Sequence, residues 1–145
     1  MIKLRVRQAK ESDIPELLVL AEEFMPQEAV REKRADALRQ ALKNPAYELL
    51  VAEIKEEPAG FIDQWIISDF IHGAKLSCIQ NFYVASKHRM KGVGSKLLEE
   101  IIRRAETKGV LEIHVVTEFE NERAIDLYRR HGFLTSSLQL ERALG

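Results

Sequence analysis

One cysteine, Cys78, stands alone in 145 residues. That excludes an internal disulfide framework and a cysteine zinc cluster. Neither charge predominates: 22 lysines and arginines against 23 aspartates and glutamates give a net charge of −1. General nucleic-acid and polyanion binders usually show a basic excess, so this balance argues against that class. No uncharged apolar run approaches the ~20 residues of a membrane span. The opening Met1–Gln8 alternates apolar and basic residues without a secretory apolar region. Repeats, linkers and low-complexity tracts are missing too. What is present is a chain 46% apolar and 31% charged, enough for one core-bearing domain over residues 1–145. A soluble, cytoplasmic protein is the expectation.

Periodicity supplies the elements. Ile2-Lys3-Leu4-Arg5-Val6-Arg7 has period two and predicts a strand. Ser12-Asp13 followed by Pro15 opens a helix carrying Ile14, Leu17, Leu18, Ala21 and Phe24. After Pro26 a second helix runs from about Glu28 to Lys43 and stops at Asn44-Pro45. Tyr47–Ile54 and Gly60–Ile67, joined by Lys55-Glu56-Glu57-Pro58, predict a β-hairpin. Ser68–Gly73 reads as a turn and Lys75–Val84 as a strand. An amphipathic helix with Leu97, Leu98, Ile101, Ile102 and Ala105 stops at Lys108-Gly109. Leu111–Val116 is a strand; Asn121 caps a helix that ends at His131-Gly132, and Phe133–Leu140 is a last strand. The order β-α-α-β-β-β-α-β-α-β predicts an α/β fold: a mixed sheet of about six to seven strands with helices on both faces.

Arg89-Met90-Lys91-Gly92-Val93-Gly94-Ser95 joins a strand to a long helix. Glycines there let the backbone approach a ligand, and the amides at the helix start suit a phosphate or pyrophosphate. A Walker loop does not fit, because Gly94-Ser95-Lys96 has the wrong order; a dinucleotide fingerprint does not fit, because position 97 is Leu97. No acidic residue lies between Asp69 and Glu99, although acids are about a sixth of the chain. That window holds Lys75, Lys87, Arg89, Lys91 and Lys96 with His72 and His88. A local basic field in a neutral protein points to a small polyanion. The plain alternative is a solvated turn that contains lysines.

Arg89-x-x-Gly92-x-Gly94, after a strand ending Asn81-Phe82-Tyr83-Val84, resembles the acetyl-CoA loop of the GNAT superfamily of N-acetyltransferases. Asn121-x-x-Ala124-x-x-Leu127-Tyr128 and then Gly132-Phe133 are similar to a second segment of that family. The resemblance spans essentially the whole chain. It implies transfer of an acetyl group from acetyl-CoA to a primary amine by direct attack, with no metal. It also implies that Phe82, Tyr83 and Val84 pair with the pantetheine arm and that Arg89 and the amides of Met90, Lys91, Gly92, Val93, Gly94 and Ser95 wrap the pyrophosphate. Asn121 would bond the pantetheine arm. Tyr128 would be the general acid for the leaving thiolate, since a phenol of pKa ~10 stays protonated near neutrality. A backbone amide, that of Val84, would meet the developing oxyanion.

The general base is not supplied by the resemblance. Polyamine-acetylating members carry Glu-Asp where this chain has Gln80-Asn81, and ribosomal-protein acetylases carry a glutamate where it has Val116. Glu118, Glu120, His72 and Asp69 are the remaining candidates. Cys78 reads as an inert thiol in an apolar strand and His114 receives no role. The acceptor expected is a small cation, drawn in by Glu22, Glu23, Glu28 and Glu32 on the first two helices together with Asp63 and Asp69. Alternatives are a protein N-terminal or lysine acetyltransferase and a non-catalytic acyl-CoA-binding domain. A homodimer could form along an edge left by the two late strands. No nucleic-acid or membrane partner is expected.

Overall fold

The computed structural model describes residues 3–145. Its strands are β1 (Leu4–Gln8), β2 (Tyr47–Ile54), β3 (Glu57–Asp69), β4 (Ala74–Ile79), β5 (Phe82–Val84) and β6 (Val110–Val115). Its helices are α1 (Ile14–Phe24), α2 (Arg31–Leu42), α3 (Val93–Thr107) and α4 (Glu122–Arg130). The sheet runs β1-β2-β3-β4-β6, with β5 pairing β3 beyond the end of β4. All pairs are antiparallel except β4 with β6, which α3 connects as a parallel crossover. This is the mixed sheet, helix-covered on both faces, that the element order predicts. Ile2, assigned to the first strand, lies outside the described residues.

Leu49, Leu50, Val51 and Ala52 explain why β2 lies inside the sheet, between β1 and β3. Consecutive apolar residues bury both faces of a strand, and all four are buried. Leu50 and Ala52 join Ile62, Ile79 and the α3 residues Val93, Leu97, Leu98 and Ile101 in one core. Leu49 and Val51 face Phe61 and the α1 residues Leu17 and Leu20 in another, with Leu38 and Leu42 of α2 against it. A buried polar chain crosses the first core: Ser77 Oγ donates to Gln64 Oε1 at 2.6 Å and Gln64 Nε2 donates to Glu48 Oε1 at 2.7 Å. Arg104 of α3 and Lys108, just past its end, reach Glu48 at 3.2 and 3.0 Å.

Three boundaries differ from the sequence reading. The hairpin turn is the two residues Lys55 and Glu56, both left-handed at φ 51° and 65°. Such a turn follows the twist of the flanking strands even without its usual glycine or asparagine. The single strand expected over Lys75–Val84 is broken at Gln80–Asn81. Finally, Phe133–Leu140 forms no strand. Phe133 turns back onto Tyr128, ring centroids 5.7 Å apart, and the residues after it pair with no strand, although the outer edge of β6 is open. A run of residues makes a strand only where a partner strand pairs with it. Leu134, Leu138 and Leu140 are left exposed.

Candidate active site

The break in the β4–β5 run opens the sheet. One extra residue lies between the pairs Trp65–Cys78 and Ile62–Phe82, so the chain bulges at Gln80–Asn81. β4 pairs with β6 on its far side, whereas β5 pairs with β3 alone. The Ala85 amide donates to Ala59 O at 2.8 Å and the Asp63 amide to Asn81 O at 3.0 Å. Residues 81, 83 and 85 are therefore turned to β3, and strand alternation turns the backbone of Phe82 and Val84 to the open side. Arg89 Nε donates to Val84 O at 3.2 Å, with its guanidinium 5.5 Å from the Tyr83 ring centre. The Val84 amide stays directed at the opening. Gly60 lets β5 lie this close: a Cβ there would come within 2.6 Å of Tyr83 O.

The basic loop follows at once. Met90 and Gly92 are left-handed, at φ 64° and 80°, and α3 starts at Val93. Alternating left-handed residues turn neighbouring amides inward, and the first amides of a helix have no partner within it. The groove they border holds ≈ 770 Å³. Phe82, Tyr83, Val84, Arg89, Met90, Gly92, Val93, Gly94, Ser95 and Asn121 all line it. Lys91 lies outside this lining, with its Nζ 3.4 Å from His88 Nδ1. Asn121 Oδ1 accepts the Ala124 amide at 3.3 Å, the cap expected of it. Arg123 and Arg130 also line the groove. They are seven residues apart, two helical turns on one face, and that spacing was the signal available for them.

Tyr128 is placed behind the groove wall and not in it. It is buried in the first core and packs against Phe82, centroids 5.9 Å apart. Burial alone pushes its phenol up to about 12, so the hydroxyl keeps its proton near neutrality.

On the opposite face of the sheet lies a second cavity of ≈ 390 Å³. Leu17 and Leu18 of α1 and Ala37 and Leu38 of α2 wall it, and Tyr47, Phe61, Trp65 and Asp63 form its sheet side. Phe24 borders both cavities and stacks on Tyr83 at 4.9 Å. Asp63 is only 1% exposed. Its Oδ1 accepts the amides of Gln80 at 3.1 Å and Asn81 at 2.7 Å, and its Oδ2 accepts Tyr47 Oη at 2.6 Å and Asn81 Nδ2 at 3.0 Å. Burial pushes this carboxyl up, against four donors that pull it down. A carboxylate on β3 thus stands at the bulge where Gln80 and Asn81 offer none.

The remaining candidates scatter. Asp69 and His72 pair with each other at 2.6 Å in the β3–β4 turn, six residues and so ~20 Å along the strand from Asp63. Glu120 lines the groove and Glu118 is exposed. Burial and then the nearby Asp63 push the Cys78 thiol up, which fits an inert thiol. His114 is exposed on Glu112. The helix glutamates do not face the cavity: Glu22 accepts the Gln27 amide at 2.7 Å, Glu23 accepts the Ser86 amide at 3.0 Å, and Glu28 and Glu32 are exposed. Steering by those four side chains is therefore corrected: α1 and α2 turn apolar residues to the cavity. Among the described residues no group of three or more His, Cys, Asp or Glu is arranged to hold a metal ion.

Comparison with known proteins agrees with this geometry. The chain is 26% identical over 147 residues to thialysine N-epsilon-acetyltransferase of Bos taurus, covering 91% of this chain and 85% of that protein. In fold it resembles a transcriptional regulator from Bacillus halodurans C-125, with a TM-score of 0.89 at 22% identity over 98% of this chain and 100% of that one. It also resembles aminoglycoside N-acetyltransferase AAC(6')-Iy in complex with CoA, with a TM-score of 0.87 at 18% identity over 99% and 96% of the two chains. Residues 14–133 match the Acetyltransferase (GNAT) family. The chain belongs to that family and is an N-acetyltransferase, an acyl-transferring enzyme that acts on amines.

Proposed function

We propose that this enzyme moves the acetyl group of acetyl-CoA to a primary amine of a small cationic acceptor by direct attack in a ternary complex. One observation carries the reading. A groove edged by the free Val84 amide and the basic glycine loop meets, across Phe24, a walled cavity with a buried carboxylate at its floor. Acetyl-CoA supplies the activated acyl group. Its pyrophosphate suits the amides of Met90 through Ser95 with Arg123 and Arg130, and its pantetheine arm suits the open edge of β5. The Val84 amide stands ready for the charge that develops on the carbonyl oxygen. The proton donor to the leaving thiolate in this reading is Tyr128, a role supported by its protonated phenol; Phe82 packs between it and the groove. The walls contributed by α1 and α2 suit a small molecule better than a protein segment.

A lone free thiol, Cys78, suits a reducing, cytoplasmic compartment; among the described residues no helix is long and apolar enough to cross a membrane. The outer edge of β6 and the exposed Leu134, Leu138 and Leu140 support a homodimer. The test of the activity is direct. Calorimetry should show acetyl-CoA binding, and thiol release should require an added amine. Binding without any amine-dependent release would make the chain an acyl-CoA binder and refute the transferase mechanism.

A further inference from the structure

Among the described residues, Phe24 alone lines both the cofactor groove and the cavity beneath α1 and α2. It is the last residue of α1, and its surroundings fix it there. Its ring stacks on Tyr83 of β5, centroids 4.9 Å apart, and meets the Phe61 ring edge-on at 6.4 Å. The neighbouring Glu23 accepts the Ser86 amide at 3.0 Å and the Ser86 hydroxyl at 2.8 Å, which ties the end of α1 to the turn after β5. The ring is nevertheless 39% exposed, so part of it faces open space. Apart from Arg34, Asp63 and Asn81, the cavity behind it is walled by aliphatic and aromatic side chains.

Resting on the acetyltransferase reading above, we infer that Phe24 sets the length of the acyl group, admitting acetyl and rejecting longer chains. In that reading the thioester enters by the groove and the amine by the cavity. Attack needs the nitrogen within ~3–3.5 Å of the carbonyl carbon, so that carbon stands where the two spaces meet. Phe24 borders that place. With the carbonyl oxygen at the Val84 amide and the sulfur in the groove, the acyl chain is the remaining substituent. A methyl group ends before it meets the ring. A propyl chain has to displace the ring or lie across the approach of the amine. Displacement is opposed, because it breaks the stack on Tyr83 and strains the clasp between Glu23 and Ser86. Removing the ring joins groove and cavity. A longer chain then runs into apolar space, where each buried methylene is worth about fourfold in affinity.

Calorimetry of the whole chain with acetyl-CoA and butyryl-CoA tests this and needs no amine. The unaltered enzyme should bind butyryl-CoA about tenfold or more weakly than acetyl-CoA, the usual cost of overfilling a packed place. Phe24→Ala should reverse the order and favour butyryl-CoA about tenfold, as two buried methylenes require. Phe24→Leu keeps an apolar contact and should move the ratio the same way by less, which decides the matter if Phe24→Ala does not fold. Met25 lines the cavity and not the groove, so Met25→Ala should leave the ratio where it was. Equal or tighter binding of butyryl-CoA by the unaltered enzyme overturns the inference and leaves the transferase reading standing. A ratio that neither Phe24 variant moves, or that Met25→Ala moves as far, overturns it as well. Failure to bind either thioester overturns the transferase reading and this inference with it.

Discussion

Asp63 gives two substitutions whose outcomes should separate cleanly. It accepts from two backbone amides, Gln80 N and Asn81 N, and from two side chains, Tyr47 Oη and Asn81 Nδ2. In Asp63→Ala both amides of the bulge lose their partner in a buried place, at about 1–3 kcal/mol each. The hydroxyl and the amide side chain can turn to the cavity, so they add little. The loss is roughly 2–6 kcal/mol from a total of ~5–15 kcal/mol. At ~3 °C per kcal/mol for a chain of this size, Tm should fall by roughly 6–18 °C. Asp63→Asn keeps one carbonyl oxygen for both amides. Tyr47 can rotate its hydroxyl and Asn81 can flip its amide to meet the new NH2 group, so Tm should fall by only a few degrees. The negative charge is nevertheless gone. A charge-assisted hydrogen bond is worth ~1.5–3 kcal/mol, so kcat/KM for the amine should drop ~10- to 150-fold while acetyl-CoA binding holds. Thermal unfolding by circular dichroism and amine-dependent CoA release measure the two effects. If Asp63→Asn acetylates the amine normally, Asp63 is a structural clamp and the charge has no part in acceptor binding. If Asp63→Asn unfolds as readily as Asp63→Ala, the carbonyl alone does not hold the bulge.

Other expectations follow from the same geometry. Replacing Tyr128 by Phe should lower kcat by ~10²-fold with KM for acetyl-CoA and Tm little changed, because its phenol is shifted by burial alone; normal turnover would make it a core residue only. A Cβ at Gly94 would lie 3.1 Å from Leu127 Cδ2, a flexible contact, with Phe82 and Val84 next nearest. Gly94→Asp should thus fold, yet set a carboxylate in the groove and weaken acetyl-CoA binding by about 100-fold or more in calorimetry; unchanged affinity would remove the loop from the binding site. Burial pushes the Glu48 carboxyl up, but Lys108, Gln64 and Arg104 outweigh it and hold it below its ordinary range. Its contribution to stability is then present above about pH 4.5 and lost as pH falls through the lower folded value. Glu48→Gln should lower Tm at neutral pH and flatten the fall of Tm in acid, and an acid limb as steep as before would refute that assignment.

Local chemistry accounts for what was legible in the sequence. The apolar stripe of Leu97, Leu98 and Ile101 is a property of α3 itself, and all three residues are fully buried. Consecutive apolar residues in β2 announce burial on both faces before any partner is known. The glycine loop is equally local, because left-handed conformations and free helix amides depend on neighbours in sequence. Elements that need a distant partner were not legible. Phe133–Leu140 follows the last helix where a strand is expected, and whether such a run pairs is decided by the assembled sheet and not by its own residues. Lys55 and Glu56 carry the turn in conformations that their side chains disfavour, so the hairpin loop reads longer than it is.

The site divides along the same line. Composition near α1 and α2 records four glutamates, yet not that Glu22 and Glu23 are taken up by the amides of Gln27 and Ser86. Side-chain direction, not charge count, decides what a cavity sees. In the opposite sense, the carboxylates that the resemblance to polyamine-acetylating members implies at positions 80 and 81 are amides here, and along the chain the position reads as a loss. In space the adjacent strand restores a negative charge. Asp63 lies 17 residues from Gln80 in sequence and 3.1 Å from its amide, because the bulge turns both amides of the break toward β3. A carboxylate held on β3 has four donors around it and faces the α1–α2 side. A carboxylate on the bulge itself would have no such clamp. Moving the charge across the sheet therefore changes more than its position. It binds the charge to the geometry of the β4–β5 break, so the opening beside β5 and the carboxyl at the cavity floor are set by the same four hydrogen bonds.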